Sequence, residues 1–151
     1  MKTLVVYFSR KGYVKRVAGE AAAAVGGDLL ELRTPERTKG FLGFWWCGRF
    51  GMHRWPMKIE HEPVDVGGYD KVIICSPVWV LSVSAPVRAF LEEVSGKVRS
   101  VDYILVHFSN PMRYTATRKE MDELLGIKHD RFTSMVCCWG KVLRRREYTN
   151  G

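Results

Sequence analysis

The lack of paired cysteine spacing, of clustered histidine and of any long apolar run narrows what this chain can be. The four cysteines, Cys47, Cys75, Cys137 and Cys138, include no C-x-x-C pair, and the four histidines, His53, His61, His107 and His129, do not repeat at ligand spacing. No metal site is therefore expected, and with no disulfide framework indicated a reduced, cytoplasmic setting is. No apolar stretch approaches the ~20 residues that a membrane-spanning helix needs. Lys2 leads straight into a short strand, so no signal peptide is expected. Neither G-x-G-x-x-G nor a P-loop occurs, which argues against dinucleotides and nucleoside triphosphates. No Ser-His-Asp, Cys-His or paired-carboxylate arrangement stands out, so no catalytic side chain is assigned; His53 and His107 have no spacing that makes either a proton donor. Acidic residues are the minority, 16 against 24 Lys and Arg, and the net charge of +8 favours an anionic partner.

What is present organises around Thr3–Val25. Leu4-Val5-Val6-Tyr7-Phe8 is an unbroken apolar run, short enough for a strand buried on both faces. Val14, Val17, Ala18, Ala21, Ala22 and Val25 then recur at helical spacing until Gly26-Gly27 stops the helix. The polar turn between them, Ser9-Arg10-Lys11-Gly12-Tyr13-Val14, lies at a helix N-terminus. Its unpartnered N–H groups and the positive end of the helix dipole suit a phosphate, and Lys11, Lys15 and Arg16 add charge of the same sign. The plain alternative is an ordinary strand-to-helix connection capped by Ser9.

The rest of the 151 residues reads as one domain, 1–151, of alternating strands and helices. Asp28–Leu32 suits a short strand near the sheet edge. Lys71–Cys75 is a clear strand, expected to end at Ser76-Pro77-Val78-Trp79 because proline cannot continue a ladder. A helix begins near Ser84-Ala85-Pro86, buries Val87, Phe90, Leu91 and Val94, and closes at Gly96. Val101–Phe108 is the fourth strand, Ser109–Tyr114 a polar loop, Thr117–Leu125 a helix stopped by Gly126, and Phe132–Trp139 the fifth strand. Residues 34–68 are rich in aromatics and glycine. One reading packs Phe41, Phe44, Trp45 and Gly48 against the sheet. A second exposes some of Trp45, Trp46, Phe50 and Trp55, and a third makes these rings, with Arg49, Arg54 and Lys58, a nucleic-acid stacking surface. The order calls for a parallel sheet with helices on both faces and a ligand beyond the carboxyl ends of its strands.

Tyr69–Val94, YDKVIICSPVWVLSVSAPVRAFLEEV, resembles the flavodoxin family, many of whose members carry an acidic residue, a strand, S/T-P-V/I-W and a proline-containing helix start. The turn YFSRKGYVKRVA is similar to that family's FMN phosphate loop, S/T-x-T-G-x-T, and KGFLGFWW looks like the second-helix region of short-chain members. The resemblance covers roughly residues 3–126. It implies a three-layer, doubly wound, parallel five-stranded sheet in the order 2-1-3-4-5, with FMN at the switch between strands one and three. By this resemblance Ser9, Arg10, Lys11, Gly12, Tyr13 and Val14 would hold the phosphate. Pro77, Val78 and Trp79 would lie along the isoalloxazine, with Trp79 stacking, and Ser109, Asn110 and Tyr114 would supply the third loop. The chain departs from the family in lacking two loop threonines, replaced by Lys11 and Val14, in placing Pro111 in the third loop, and in its C-terminus. After the fifth strand, Gly140–Tyr148 is expected to form at most a short charged helix. A homodimer is expected to cover the sheet face so exposed.

The resemblance implies an FMN-binding electron-transfer protein or small flavoprotein oxidoreductase, and the basic charge implies an acidic redox partner or an anionic surface. Two other functions compete. One is a flavodoxin-like scaffold that has lost FMN and binds an anionic partner; the other is a nucleic-acid binder using the Trp/Arg region and Arg144-Arg145-Arg146.

Overall fold

The computed structural model describes residues 2–9, 13–35, 42, 45–46, 49, 58–79, 82–107, 115–138 and 141–149, of which Tyr13, Val78, Trp79, Ser82, Thr115, 136–138 and 141–149 are described by backbone alone. In chain order the elements are β1 (Thr3–Tyr7), α1 (Tyr13–Val25), β2 (Asp28–Glu31), a 3-10 turn (Val66–Gly68), β3 (Lys71–Trp79), β4 (Ser82–Val83), α2 (Ala85–Glu93), β5 (Val101–His107), α3 (Thr115–Leu125), β6 (Arg131–Cys138) and β7 (Lys141–Thr149). Hydrogen bonding sets the sheet order β2-β1-β3-β5-β6-β7, with the short β4 paired to β3. The first five of these strands are parallel and run 2-1-3-4-5 among themselves, as expected.

Every residue of β1 is buried, which is why its sequence shows no alternation. Its odd and even positions face separate cores. Val5 and Tyr7, with Ile73, Cys75, Ile104, Val106 and Met135, pack under the α1 stripe Val14, Val17, Ala18 and Ala22. Leu4 and Val6, with Val72, Ile74, Tyr103, Leu105 and Phe132, pack against Val87, Phe90 and Leu91 of α2 and Met121 and Leu125 of α3. Arg88 of α2, buried, forms an ion pair with the partly exposed Glu120 of α3. At the end of α1, Gly26 takes a φ of 62°. Gly27 lies so close to the Thr3 carbonyl that a Cβ would come within 2.8 Å of its oxygen. Gly96 and Gly126, with φ of 77° and 81°, end the next two helical segments.

Two expectations need correction, and one open reading is decided. The chain after β6 is not a short helix: β7 runs antiparallel beside β6, from Cys138↔Lys141 to Arg131↔Thr149. Nine residues beginning Lys-Val-Leu extend the sheet's ladder, which a marginal isolated helix could not match. Nor does β3 stop before Pro77. Pro77 is in register with Val106, while β1 ends at Tyr7↔Cys75, so a missing N–H at Pro77 interrupts no bond on the β1 side. In the aromatic stretch Trp45 is 56% exposed, as the second reading has it, while its neighbour Trp46 packs on the α2-side core. Phe41, Phe44, Gly48, Phe50, Arg54 and Trp55 lie outside the described residues.

Residues 58–65 return across the α2 side of the sheet. Arg33 and Glu60 exchange backbone hydrogen bonds at 2.8 and 2.7 Å, and Ile59 and Val64 rest on the core. The segment ends at Asp65, whose carboxylate accepts from the Gly67 N–H and caps the 3-10 turn.

Candidate functional site

From β1 the chain crosses to β2 on one side, and β3 lies on the other, so the switch point falls between β1 and β3. At this carboxyl edge β1 passes through Phe8 and Ser9 toward α1, whose first residue is Tyr13. Phe8 is buried at 4% exposure on the α2-side core, and Ser9 is partly exposed. Val14 is 4% exposed and packs with Val17 and Ala18 against the sheet. Its side chain belongs to the core, leaving its backbone N–H as what it can offer a ligand. Arg10, Lys11 and Gly12 lie outside the described residues, as do Ser109, Asn110, Pro111 and Tyr114 of the third loop.

The second loop is a hairpin. Val78 pairs with Val83 and Trp79 with Ser82, antiparallel, so β3 folds back on itself beyond Pro77 before α2 begins. Pro77 is partly buried, and Val78 and Trp79 are placed by their backbone. At the base of the hairpin two fully buried serines meet, with Ser76 Oγ 2.9 Å from Ser84 Oγ. The Ser84 N–H also donates to Ser76 Oγ at 3.2 Å, and Ser76 Oγ donates to the Pro77 carbonyl at 2.8 Å.

A similar pair sits at the end of β5. His107 Nε2 lies 2.5 Å from Ser134 Oγ of β6, and the two residues are 6% and 0% exposed. Ser76, Leu105 and Ser134 stand at one level of β3, β5 and β6. Two polar pairs, separated by Leu105, thus underlie the second loop and the start of the third. Sequence reading passed over Ser76, Ser84 and Ser134. The available signal was polar residues at positions whose strand neighbours two residues back, Ile74 and Phe132, are core.

Two tyrosines are held neutral, Tyr7 at the carboxyl end of β1 and Tyr69 just before β3. Burial and then the Glu31 carboxylate raise the Tyr7 phenol, and a hydrogen bond to Asp28 raises that of Tyr69. Burial pushes the Cys75 thiol up to about 12, which makes it an inert core side chain, as its place in a strand predicts. Among the described residues no group of His, Cys, Asp and Glu is arranged to hold a metal ion, and no helix is long and apolar enough to cross a membrane.

No protein-family model matches the chain. Solved structures do match it. A flavoprotein from Lactobacillus acidophilus NCFM, crystallised in complex with FMN, superposes with a TM-score of 0.72 at 20% identity, covering 85% of this chain and 89% of its own. A putative flavoprotein from Bacteroides eggerthii DSM 20697 gives 0.71 at 22% identity over 88% and 85% of the two chains. The apo form of an NADH:FMN oxidoreductase gives 0.50 at 14% identity over 90% and 75%. The fold is that of flavodoxin-like proteins.

Proposed function

We propose that the chain binds FMN at the β1/β3 switch point and works as an electron carrier or small flavoprotein oxidoreductase. The observation that carries this reading is the junction of an α1 N-terminus with the Pro77–Trp79 hairpin across neighbouring strands, in a fold whose structural neighbours are flavoproteins. The phosphate would lie against the backbone N–H groups of Gly12, Tyr13 and Val14, with Ser9, Arg10 and Lys11 around it. Pro77, Val78 and Trp79 would line the ring, and Ser109, Asn110 and Tyr114 would close the third side. The described parts fit such a group: α1 is 13 residues long, points its N-terminus at the carboxyl edge and carries no acidic residue in its first turn. FMN would supply the electron or hydride chemistry, and the protein its orientation and electrostatics. With a net charge of +8, an acidic redox protein or an anionic surface is the proposed partner, in a reducing cytoplasmic setting.

The burial of Val14 favours a second reading. No hydroxyl faces a phosphate at that position, as would suit a scaffold that has given up FMN and kept an anionic partner. Visible absorbance and a fluorescence titration with FMN decide between them. Quenching of FMN fluorescence with a micromolar or tighter dissociation constant supports the flavoprotein, and its absence at micromolar FMN supports the scaffold. Light scattering on the same sample tests the proposed homodimer.

A further inference from the structure

Ser84 occupies the N-cap position of α2, with φ −59° and ψ 146°, yet its side chain makes no capping hydrogen bond. Serine is favoured there because its oxygen ordinarily accepts from the first turn's N–H groups. In this chain the hydroxyl is turned toward Ser76 instead. The proton positions follow by elimination. Ser76 Oγ donates its proton to the Pro77 carbonyl, so the proton between the serines belongs to Ser84, and Ser76 Oγ accepts from both the Ser84 hydroxyl and the Ser84 N–H. Both serines lie at 0% exposure, next to Val83 at 1% and Ala85 at 1%.

We propose that Ser76 and Ser84 are positioning residues for the flavin ring: their hydroxyl pair closes the base of the Val78–Val83 hairpin and so fixes Pro77–Trp79 relative to β1. The inference rests on the FMN reading above and adds to it the device that sets the ring-side wall. The hairpin itself has two ladder pairs, Val78↔Val83 and Trp79↔Ser82, too few to hold its own shape. Its rigidity comes from below. One arm leaves Ser76 at the end of the parallel ladder, the other enters α2 at Ser84, and the hydroxyl pair ties the two where no water competes. A wall fixed before binding has less ordering to undergo when a ring stacks on it.

The test compares FMN with riboflavin, which carries the ring without the phosphate, on Ser84→Ala and Ser76→Ala. Hydrogen exchange of the 78–83 amides is followed in parallel. Ser84→Ala removes one buried hydrogen bond and Ser76→Ala three. Each is expected to weaken FMN and riboflavin alike, by about tenfold or more, leaving the ratio of their affinities unchanged, while exchange in the hairpin quickens. Ser84→Thr, which keeps a hydroxyl, is expected to restore both. A merely structural pair would lower the melting temperature of the variants and leave both affinities in place at 20 °C or so, which overturns the proposal. Loss of FMN affinity with riboflavin unchanged overturns it too, because the phosphate end would then be the part disturbed. Should the parent protein itself not bind FMN, the FMN reading fails first. Unchanged hairpin exchange in the variants is the separate result that removes the clamp.

Discussion

Arg118 donates from Nε and Nη2 to Nε2 of His129, at 3.1 and 2.9 Å, so that ring nitrogen is an acceptor and the proton of the imidazole sits on Nδ1. Nδ1 faces the Asp122 carboxylate at 3.0 and 2.9 Å. The Tyr103 hydroxyl donates to the same carboxylate at 2.6 Å and the His129 N–H at 3.1 Å. The Tyr103 ring stacks on the imidazole at 4.9 Å, and burial keeps its phenol far above the ordinary range, protonated and donating. The network ties α3 to β5 and to the turn before β6, at the end of the sheet away from the candidate site. Asp122→Ala orphans three donors at once and is expected to cost about 2–4 kcal/mol, against about 1 kcal/mol for Tyr103→Phe. Urea unfolding of the two variants checks the difference.

His61 has an acceptor on each ring nitrogen: the Glu62 carbonyl at 2.7 Å from Nδ1 and the Glu93 carboxylate at 2.8 Å from Nε2. Both nitrogens must donate, which only the imidazolium can do. Burial works against that charge and Arg33 opposes it, but the Glu62 carbonyl and Glu93 prevail and the pKa is raised above 6.5. A raised folded-state pKa stabilises fully below the unfolded value and loses that effect as pH rises through the folded one. The stability difference between the parent and His61→Gln is therefore expected to be greatest below pH 6.5 and to shrink as pH rises through the raised folded-state value. A difference that does not change with pH would show that the clasp of residues 58–65 onto α2 does not depend on the proton.

Lys71 Nζ stands 3.1 Å from both Asp102 and Asp130 at the amino ends of three strands. Burial disfavours the ammonium, but the two carboxylates outweigh it and raise its pKa above 10.5. Asp130 is held below 3.8, first by the Ser100 hydroxyl and then by Lys71. Its contribution is present above pH 3.8 and is lost as pH falls through the depressed folded value. Lys71→Met leaves the Asp102 carboxylate, 16% exposed, with the Arg131 N–H for company. A loss of about 1–3 kcal/mol at pH 7 is expected, read by thermal unfolding.

The family resemblance suggests that restoring a threonine at position 14 would improve a phosphate site. The packing says otherwise. Val14 lies against Val17, Ala18 and the β1 face, so a hydroxyl there enters the core rather than the loop. Val14→Thr is expected to lose about 1–2 kcal/mol of stability and to leave the FMN dissociation constant unchanged. A tighter constant would mean that the side chain reaches the ligand.

The alternation of strands and helices and the α1 and α2 stripes were legible because each rests on local pattern: β1 is apolar throughout, Val14, Val17 and Ala18 keep helical spacing, and Gly26 and Gly96 stand where the chain turns left-handed. The strand order and the switch point came from the family resemblance alone. The errors arose where distant chain segments decide. Pro77 forbids a ladder bond in general, but whether a partner is present at that level depends on where β1 ends. Whether Trp45 packs or is exposed stayed open because glycine-rich sequence shows no clear apolar stripe. The Ser76–Ser84 and His107–Ser134 pairs join residues 8 and 27 positions apart, and nothing in either local sequence announces the other partner.

The C-terminus was misread for a related reason. Lys141-Val142-Leu143-Arg144-Arg145-Arg146 has neither clean alternation nor a helical stripe, so only its pairing with β6 makes it a strand. Once β7 is formed, its sequence acquires a reason. It is last in the sheet order and nine residues long, so among the described residues its outer row of N–H and C=O groups has no neighbouring strand. Such an edge invites pairing with another chain, and charge is a common way of preventing it. Arg144, Arg145 and Arg146 stand at the middle of the strand, opposite Val136, Met135 and Ser134. Two β7 edges meeting antiparallel about their centres would set arginine against arginine. The opposite edge, β2, is only four residues long and carries Asp28 and Glu31. Replacing all three arginines by threonine keeps β propensity and removes the repulsion. The variant is expected to shift to larger assemblies than the parent in size-exclusion chromatography with light scattering. Raising salt to 1 M or so, where the Debye length is about 3 Å, should move the parent part of the same way. An unchanged mass distribution in both experiments would show that something other than charge protects this edge.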